Sequence, residues 1–158
     1  MNYNYILHFA FLMNTRITKK TQYAVSAMLE LAKSNTPLPV SVISAKQCIE
    51  KNYMSLILLE LKNKNLVESI KGAKGGYKIS HPLNVITVSQ IMSAVGESIT
   101  VTRCKKKDIS CLGKNIHCAA HNMWIGLELK IDEYLSSITL YDVLNSNGIR
   151  NDFSIRTI

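Results

Sequence analysis

The chain has 158 residues, close to the usual length of a single domain, and 47% of them are apolar. Its 19 Lys and Arg against 11 Asp and Glu give a formal net charge of +8. This composition excludes a disordered or collagen-like chain, and we expect one core rather than two large domains. No stretch reaches the roughly 18 uninterrupted apolar residues of a membrane span, so no membrane partner is expected.

The amino-terminal segment 1–12 ends in an apolar run from Ile6 to Leu12. It has neither the preceding basic residue nor the following small-residue cleavage site of a signal peptide. We therefore expect an accessory extension, with Met13 as an alternative start, and a cytoplasmic protein. In a reducing compartment, clustered cysteines indicate metal or redox sites rather than disulfides.

The basic excess lies in the first half of the chain. Residues 1–80 hold 11 Lys and Arg against 4 Asp and Glu, whereas residues 81–158 hold 8 against 7. Such a one-sided excess favours a polyanionic partner, because neutralised phosphates release their counterions. A solvated lysine surface would give the same count, so charge alone does not choose between the two.

Apolar spacing predicts three helices in the first half, over residues 21–33 after the cap Thr18, 41–48 and 52–63. Two short helices joined by a tight turn, the second ending in lysines, are typical of a helix-turn-helix. Cys48 falls at this turn, where we expect a small buried residue.

A β-hairpin is predicted directly after these helices. Residues 66–70 alternate as a strand, 71–76 form a turn rich in glycine and lysine, and 77–80 return. The turn matches neither the Gly-Lys-Ser/Thr nor the Gly-x-Gly-x-x-Gly phosphate-binding pattern. A solvent-facing hairpin is the alternative, but the order of three helices and a hairpin predicts a winged helix-turn-helix domain over residues 13–82.

The second half begins with a linking segment and a polar loop. Residues 83–101 contain a short helix that Thr87 can cap and that Gly96 ends. Residues 102–117 have little apolar periodicity and include three consecutive lysines, which predicts a loop.

A long helix with an apolar stripe is predicted over about residues 119–136, and Thr139 can cap a short last helix. Such a stripe either packs against the rest of its own chain or packs against the same helix of a second copy of the chain. Helix-turn-helix proteins usually bind two half-sites through a twofold axis, so we expect residues 119–145 to form a homodimer. Residues 146–158 are expected to be a flexible tail.

The second half also holds the pattern Cys104-x6-Cys111-x6-Cys118-x2-His121. Three thiolates and an imidazole suit zinc or an iron–sulfur cluster. Structural zinc sites usually pair cysteines roughly two to four residues apart, so the longer gaps favour a cluster held over residues 102–121. Unliganded thiols are the alternative. No paired acid and base groups occur elsewhere, so we expect neither an enzyme nor a small-molecule substrate.

Three further segments, together with this pattern, carry a resemblance to a known family. They are Arg16-Ile17-Thr18-x3-Gln22-Tyr23-Ala24-Val25, Leu66-Val67-x2-Ile70-Lys71-Gly72-x2-Gly75-Gly76-Tyr77 and Ile91-Met92-x-Ala94-Val95-x-Glu97-Ser98. Over residues 13–145 the chain resembles the Rrf-type winged-helix repressors, and among them the branch that regulates iron–sulfur cluster assembly.

The resemblance implies a mainly α protein with a small β-hairpin wing that binds double-stranded DNA as a homodimer, mainly as a repressor. It further implies a [2Fe–2S] cluster held by Cys104, Cys111, Cys118 and His121, with cluster-assembly genes as targets. The helix from Asn52 would enter the major groove, and the wing would reach a minor groove or phosphates. The implied DNA contacts are Lys19, Lys20, Ser41, Asn52, Tyr53, Ser55, Lys71, Gly72, Lys74, Gly75 and Gly76.

Several alternatives stay open beside this reading. A [4Fe–4S] cluster or zinc could occupy the same ligands. The chain could be a regulator of the same fold that responds to nitric oxide or redox state, or an iron–sulfur carrier that does not bind DNA.

The chain departs from the family pattern at three places. Each cysteine gap is one residue longer than usual, and Thr21 and Gln22 replace a common Gly-Arg pair. Ser55 stands where relatives have a glutamate, and Leu56 replaces a neighbouring glutamine. Loss of a carboxylate that can accept a hydrogen bond from cytosine alters the expected promoter discrimination.

Overall fold

The computed structural model describes residues 17–72, 74–98 and 119–145. A mainly α architecture with one small antiparallel hairpin is observed, which confirms the predicted fold class. The elements are α1 (Lys19–Ala32), α2 (Val40–Lys46), α3 (Lys51–Asn63), β1 (Val67–Ile70), β2 (Gly76–Ile79), α4 (Val88–Ala94), α5 (His121–Ser137) and α6 (Leu140–Leu144). None of the helices in these ranges is long and apolar enough to cross a membrane.

Some predictions fall outside the described residues. They concern the extension 1–12, the loop 102–117, the tail 146–158 and the three cysteines Cys104, Cys111 and Cys118.

Helix α1 begins directly after the predicted cap Thr18, two residues before the predicted start at residue 21. The Thr18 side chain accepts a hydrogen bond from the backbone N–H of Thr21, which satisfies one of the free donors of the first turn. The face that carries Ala24, Met28 and Leu31 is buried in the core. The helix ends before the Pro37-containing segment, as expected for a chain that must turn there.

Helices α2 and α3 form the helix-turn-helix. The turn between them passes through positive φ at Cys48 (φ +53°), and the thiol is exposed. The expectation of a buried Cys48 is therefore wrong. Ile43 of α2 and Met54 of α3, which flank the turn in sequence, are fully buried in the core, whereas the residue of the turn itself lies at the surface.

The hairpin is the predicted wing. Val67 pairs with Ile79 and Ile70 with Gly76, and the backbone of Tyr77 exchanges two hydrogen bonds of 2.9 Å with Leu38. A Cβ at Gly76 would lie 2.4 Å from the carbonyl carbon of Leu38, so only glycine allows this close approach.

The segment that begins α6, at residues 139–140, is hydrogen-bonded to the linking segment at residues 86–87. Thr87 and Thr139 each form a full capping box, and the two residues pair across an isolated antiparallel bridge. The Leu140 N–H donates to the carbonyl of Ile86 at 2.7 Å, and the Leu140 side chain is fully buried. Helix α6 therefore belongs to the same core as the helix-turn-helix.

Candidate nucleic-acid interface

The outward face of α3 is the centre of the candidate interface. Four apolar side chains fix the opposite face of α3 in the core and are fully buried, namely Met54, Ile57, Leu58 and Leu61. Asn52, Leu56 and Leu59 are exposed on the outward face. The core therefore presents α3 rigidly to a partner, as a recognition helix requires.

Two predicted contacts on α3 have internal partners. The Ser55 hydroxyl donates to the carbonyl of Lys51 at 2.9 Å, one turn earlier. The half-buried ring of Tyr53 packs edge-on against Tyr23, with ring centroids 6.2 Å apart and an interplanar angle of 87°. Of these three residues, only Asn52 in the first turn has an exposed side chain.

The two lysines at the start of α1 have different surroundings. The Lys20 ammonium lies 2.8 Å from Glu60 Oε2 and donates to the carbonyl of Val95 at 2.8 Å, so it joins α1 to α3 and to the end of α4. Lys19 is exposed, and its one side-chain contact among the described residues is a 3.4 Å hydrogen bond to Gln22. Lys19 is therefore the better placed of the two for an external partner.

The wing presents exposed lysines. Lys71, Gly72 and Lys74 are all exposed, and Gly72 adopts φ +106°, a conformation that favours glycine. The Gly75 N–H donates to the Gly72 carbonyl at 2.9 Å and closes the turn. A Cβ at Gly75 would lie 2.3 Å from the carbonyl oxygen of Ile70, so this glycine is required by the shape of the wing.

Ion pairs divide the lysines into two sets. Lys33 and Lys46 both pair with Glu30, and the Lys46 hydrogen bond in particular holds the pKa of Glu30 below its usual value. Lys78 pairs with Glu68 across the hairpin. Within the described ranges, six exposed lysines have no acidic partner, namely Lys19, Lys51, Lys62, Lys64, Lys71 and Lys74.

Five of these six lysines belong to the recognition helix, to the residues directly after it or to the wing, and Lys19 is at the start of α1. Lys51 and Lys62 belong to the first and last turns of α3, Lys64 follows its end, and Lys71 and Lys74 lie at the wing tip. Ser41 is exposed in the first turn of α2. This surface combines uncompensated positive charge with a rigid, exposed helix, the combination expected of a DNA-binding face.

His121 is the one predicted cluster ligand that lies within the described residues. It is the first residue of α5 and only 7% exposed, and its Nδ1 has no hydrogen-bond partner among the described residues. A buried imidazole nitrogen without a partner is costly unless something binds it, so this residue fits the role of a ligand. In the described part of the chain no three His, Cys, Asp or Glu side chains group together as a metal site.

Sequence reasoning missed the role of Glu97, two residues before the segment 99–118 that lies outside the described residues. The Glu97 carboxylate accepts hydrogen bonds from the hydroxyls of Thr18, at 2.5 Å, and Thr21, at 2.6 Å. The three residues were all within segments that suggested the family, but nothing in local spacing links positions 76 or more residues apart. The contact ties the end of the linking segment to the start of α1.

Helix α5 leaves apolar side chains exposed. Met123, Leu127 and Tyr134 recur at helical spacing along one side and are all exposed, while Leu129 is exposed on the opposite side. In the described part of the chain, only His121 of this helix is buried. Part of the apolar stripe predicted from sequence is therefore exposed, whereas Ile131 and Leu135 of the same stripe are half-buried.

A family model and two relatives that match most of the chain are all transcriptional regulators. Residues 17–146 match the family model Rrf2, described as an iron-dependent transcriptional regulator. The chain is 36% identical over 138 residues to the HTH-type transcriptional regulator IscR of Pectobacterium atrosepticum. The aligned residues cover 86% of this chain and 83% of that relative. IscR of Yersinia pseudotuberculosis is 36% identical over 136 residues, 85% of this chain and 82% of the relative.

Solved structures share the fold. CymR, the global cysteine regulator of B. subtilis, matches with a TM-score of 0.68 and 26% identity, covering 83% of this chain and 97% of that chain. IscR of T. potens matches with a TM-score of 0.67 and 25% identity, covering 87% of this chain and 91% of that chain. The winged helix-turn-helix architecture predicted from the sequence is confirmed.

Proposed function

The chain belongs to the Rrf2 family of transcriptional regulators, and we propose that it is a cytoplasmic, homodimeric repressor that senses iron–sulfur status and controls the genes of iron–sulfur cluster assembly. It is a DNA-binding regulator rather than an enzyme, as are its relatives. Family membership argues against the alternative of an iron–sulfur carrier that does not bind DNA.

The unpaired lysines around α3 carry the DNA-binding part of the proposal. Asn52 would face the major groove, as would Ser55, although its hydroxyl already donates to the Lys51 carbonyl. Contacts to phosphates or the minor groove would come from Lys19, Ser41, Lys71, Gly72 and Lys74. Lys20, Tyr53, Gly75 and Gly76 would act through their neighbours, because their side chains or backbones are engaged within the protein. These internal contacts hold α3 and the wing in the geometry that DNA requires.

The exposed side of α5 supports the homodimer. Met123, Leu127 and Tyr134 would pack against the same residues of a second copy, since a twofold axis places like surfaces together. Two recognition helices would then face two half-sites of one operator.

The proposed cluster ligands are Cys104, Cys111, Cys118 and His121. When bound, a [2Fe–2S] cluster supplies a labile crosslink between these residues that is lost when iron or sulfide is scarce. His121 suits such a ligand set, because a neutral, protonatable imidazole is more easily displaced than a thiolate. The observation that favours it is that its buried Nδ1 has no hydrogen-bond partner among the residues that the structure describes.

Two contacts offer a route from this segment to the DNA-binding face. Before the segment, Glu97 is hydrogen-bonded to Thr18 and Thr21 of the α1 start. After it, His121 begins α5, which is joined to α4 by a hydrogen bond from Ser89 to Asp132. A change in how residues 99–118 are held would therefore act on both α1 and α5, and so on the spacing of the two recognition helices.

Anaerobic purification tests the proposal. The protein should be coloured, contain iron and sulfide in equal amounts and show the absorption of a [2Fe–2S] cluster. Cys104→Ser and His121→Ala should change that spectrum, whereas the matched controls Cys48→Ser and His81→Ala, at exposed residues outside the proposed ligand pattern, should not. A colourless protein with stoichiometric zinc, or a [4Fe–4S] spectrum, would contradict this cluster assignment.

A further inference from the structure

Two leucines stand exposed on the helix that should contact DNA. Leu56 is 58% exposed and Leu59 is 48% exposed, although the neighbouring Ile57 and Leu58 are fully buried. Spaced three residues apart, the two leucines share one face of α3, on the same side as Asn52. The fold therefore keeps an apolar surface at the centre of the candidate interface.

The charge around these leucines indicates what covers them. Lys51 and Lys62 lie on the same helix without acidic partners in the described ranges, and Lys71 and Lys74 lie at the wing tip. A polyanion is therefore the complementary partner. Among polyanions, B-form DNA offers apolar groups to a helix in its major groove, namely the C5-methyl groups of thymine.

Resting on the proposed DNA binding, we propose that Leu56 and Leu59 contact thymine methyl groups and select T·A base pairs in each operator half-site. A leucine side chain has no donor or acceptor. It cannot pair with the guanine acceptors or the cytosine amino group, and covering those groups would leave them without hydrogen bonds. Covering a T·A pair also desolvates polar groups, but the thymine methyl offers an apolar contact in return, which a G·C pair lacks.

The spacing of the leucines fits neighbouring base pairs. Three residues advance a helix by about 4.5 Å, against about 3.4 Å between base pairs of one strand. The two side chains would therefore contact adjacent or next-adjacent steps. The Ser55 hydroxyl, one residue before Leu56, is already bonded to the Lys51 carbonyl, which leaves Asn52 as the exposed amide for adenine.

Uracil substitution isolates the methyl group. Duplexes bound by the full anaerobic protein would first be selected from a random pool, and each selected thymine then replaced in turn by uracil, which removes only the methyl. We expect one or two positions per half-site where uracil weakens binding about fourfold, the effect of one buried methyl-sized group. Uracil at the other thymines should have no effect.

Variants connect this effect to the leucines. Leu56→Ala and Leu59→Ala should each abolish the uracil effect at one position and keep the wild-type melting temperature, because both residues are at the surface. Lys62→Ala, the matched control on the same helix, should weaken binding to thymine and uracil duplexes equally and reduce the salt dependence. Leu56→Gln should shift the selected base from thymine toward adenine.

The outcomes separate this inference from the proposed function. If no duplex is enriched and binding shows no sequence preference at any salt concentration, the proposed regulator is contradicted. If specific duplexes are enriched but uracil replaces thymine everywhere without loss, only the assignment of the leucines is overturned. A uracil effect that persists in both leucine variants would overturn it as well.

Discussion

At the scale of single residues, some lysines of this protein form ion pairs, whereas others have no acidic partner among the described residues. Lys20 is held by Glu60 and the Val95 carbonyl, whereas Lys71 is exposed and has no acidic partner in the described ranges. Two residues with the same charge, both predicted from sequence as DNA contacts, should therefore respond differently to substitution. Sequence could not separate them, because Glu60 and Val95 lie 40 and 75 positions away from Lys20.

We expect Lys20→Ala to lower the free energy of unfolding by about 1 kcal/mol, since it removes a partly exposed ion pair and a hydrogen bond to the backbone. Lys71→Ala should leave the free energy of unfolding unchanged and reduce the slope of log affinity against log salt by about 1. Urea unfolding and DNA titrations at several salt concentrations measure both. The same response from the two variants would contradict this division.

At the scale of elements, Glu97 joins the end of the linking segment to α1. Thr21 is only 2% exposed, and its hydroxyl donates to the Glu97 carboxylate. Glu97→Ala should lower the free energy of unfolding by about 1 to 3 kcal/mol, because a buried hydroxyl is left without its acceptor. Glu97→Gln keeps an acceptor oxygen, so its free energy of unfolding should fall by less than that of Glu97→Ala. Equal stability of Glu97→Ala and the wild type in urea unfolding would show that the contact does not hold the elements together.

The cap of α6 makes part of the stability depend on pH. The hydrogen bond from the Thr139 hydroxyl, followed by that from the Thr139 backbone N–H, holds the pKa of Asp142 below its usual value of 3.8. A lowered pKa in the folded state means that the carboxylate stabilises the fold above pH 3.8 and that this contribution is lost as the pH falls through the lower, folded value.

Asp142→Asn should therefore have a lower melting temperature than the wild type at neutral pH. In acid, where the wild-type carboxylate is protonated, the difference between the two melting temperatures should become smaller. Thermal unfolding of both proteins from neutral pH to below pH 3.8 measures this difference. A gap that stays constant over the whole range would contradict the role of the charged cap.

Elements with local signals were predictable. The threonine caps at Thr18, Thr87 and Thr139 mark the starts of α1, α4 and α6, and apolar spacing places α3 to within one residue at its start. The exposed Cys48 and the role of Glu97 were not predictable, because each depends on which distant residues fill or border the same space.

At the scale of the whole molecule, α5 determines the proposed assembly. Leu127 and Leu129 are 43% and 46% exposed but lie on opposite sides of the helix. Leu127→Glu should yield monomers with much weaker operator binding, since it places a charge in the proposed dimer contact, whereas the matched Leu129→Glu should stay dimeric. Sedimentation analysis of both variants measures the mass. A dimeric Leu127→Glu protein would place the dimer contact elsewhere.

The central claim is that one half of the molecule binds DNA under the control of a cluster held by the other half. The most direct measurement is the anaerobic affinity for a selected operator duplex before and after removal of iron, in the wild type and in His121→Ala. We expect the wild-type affinity to change on iron removal and the His121→Ala affinity to match the iron-free value throughout. An operator affinity that is identical with and without iron in the wild type would contradict the claim.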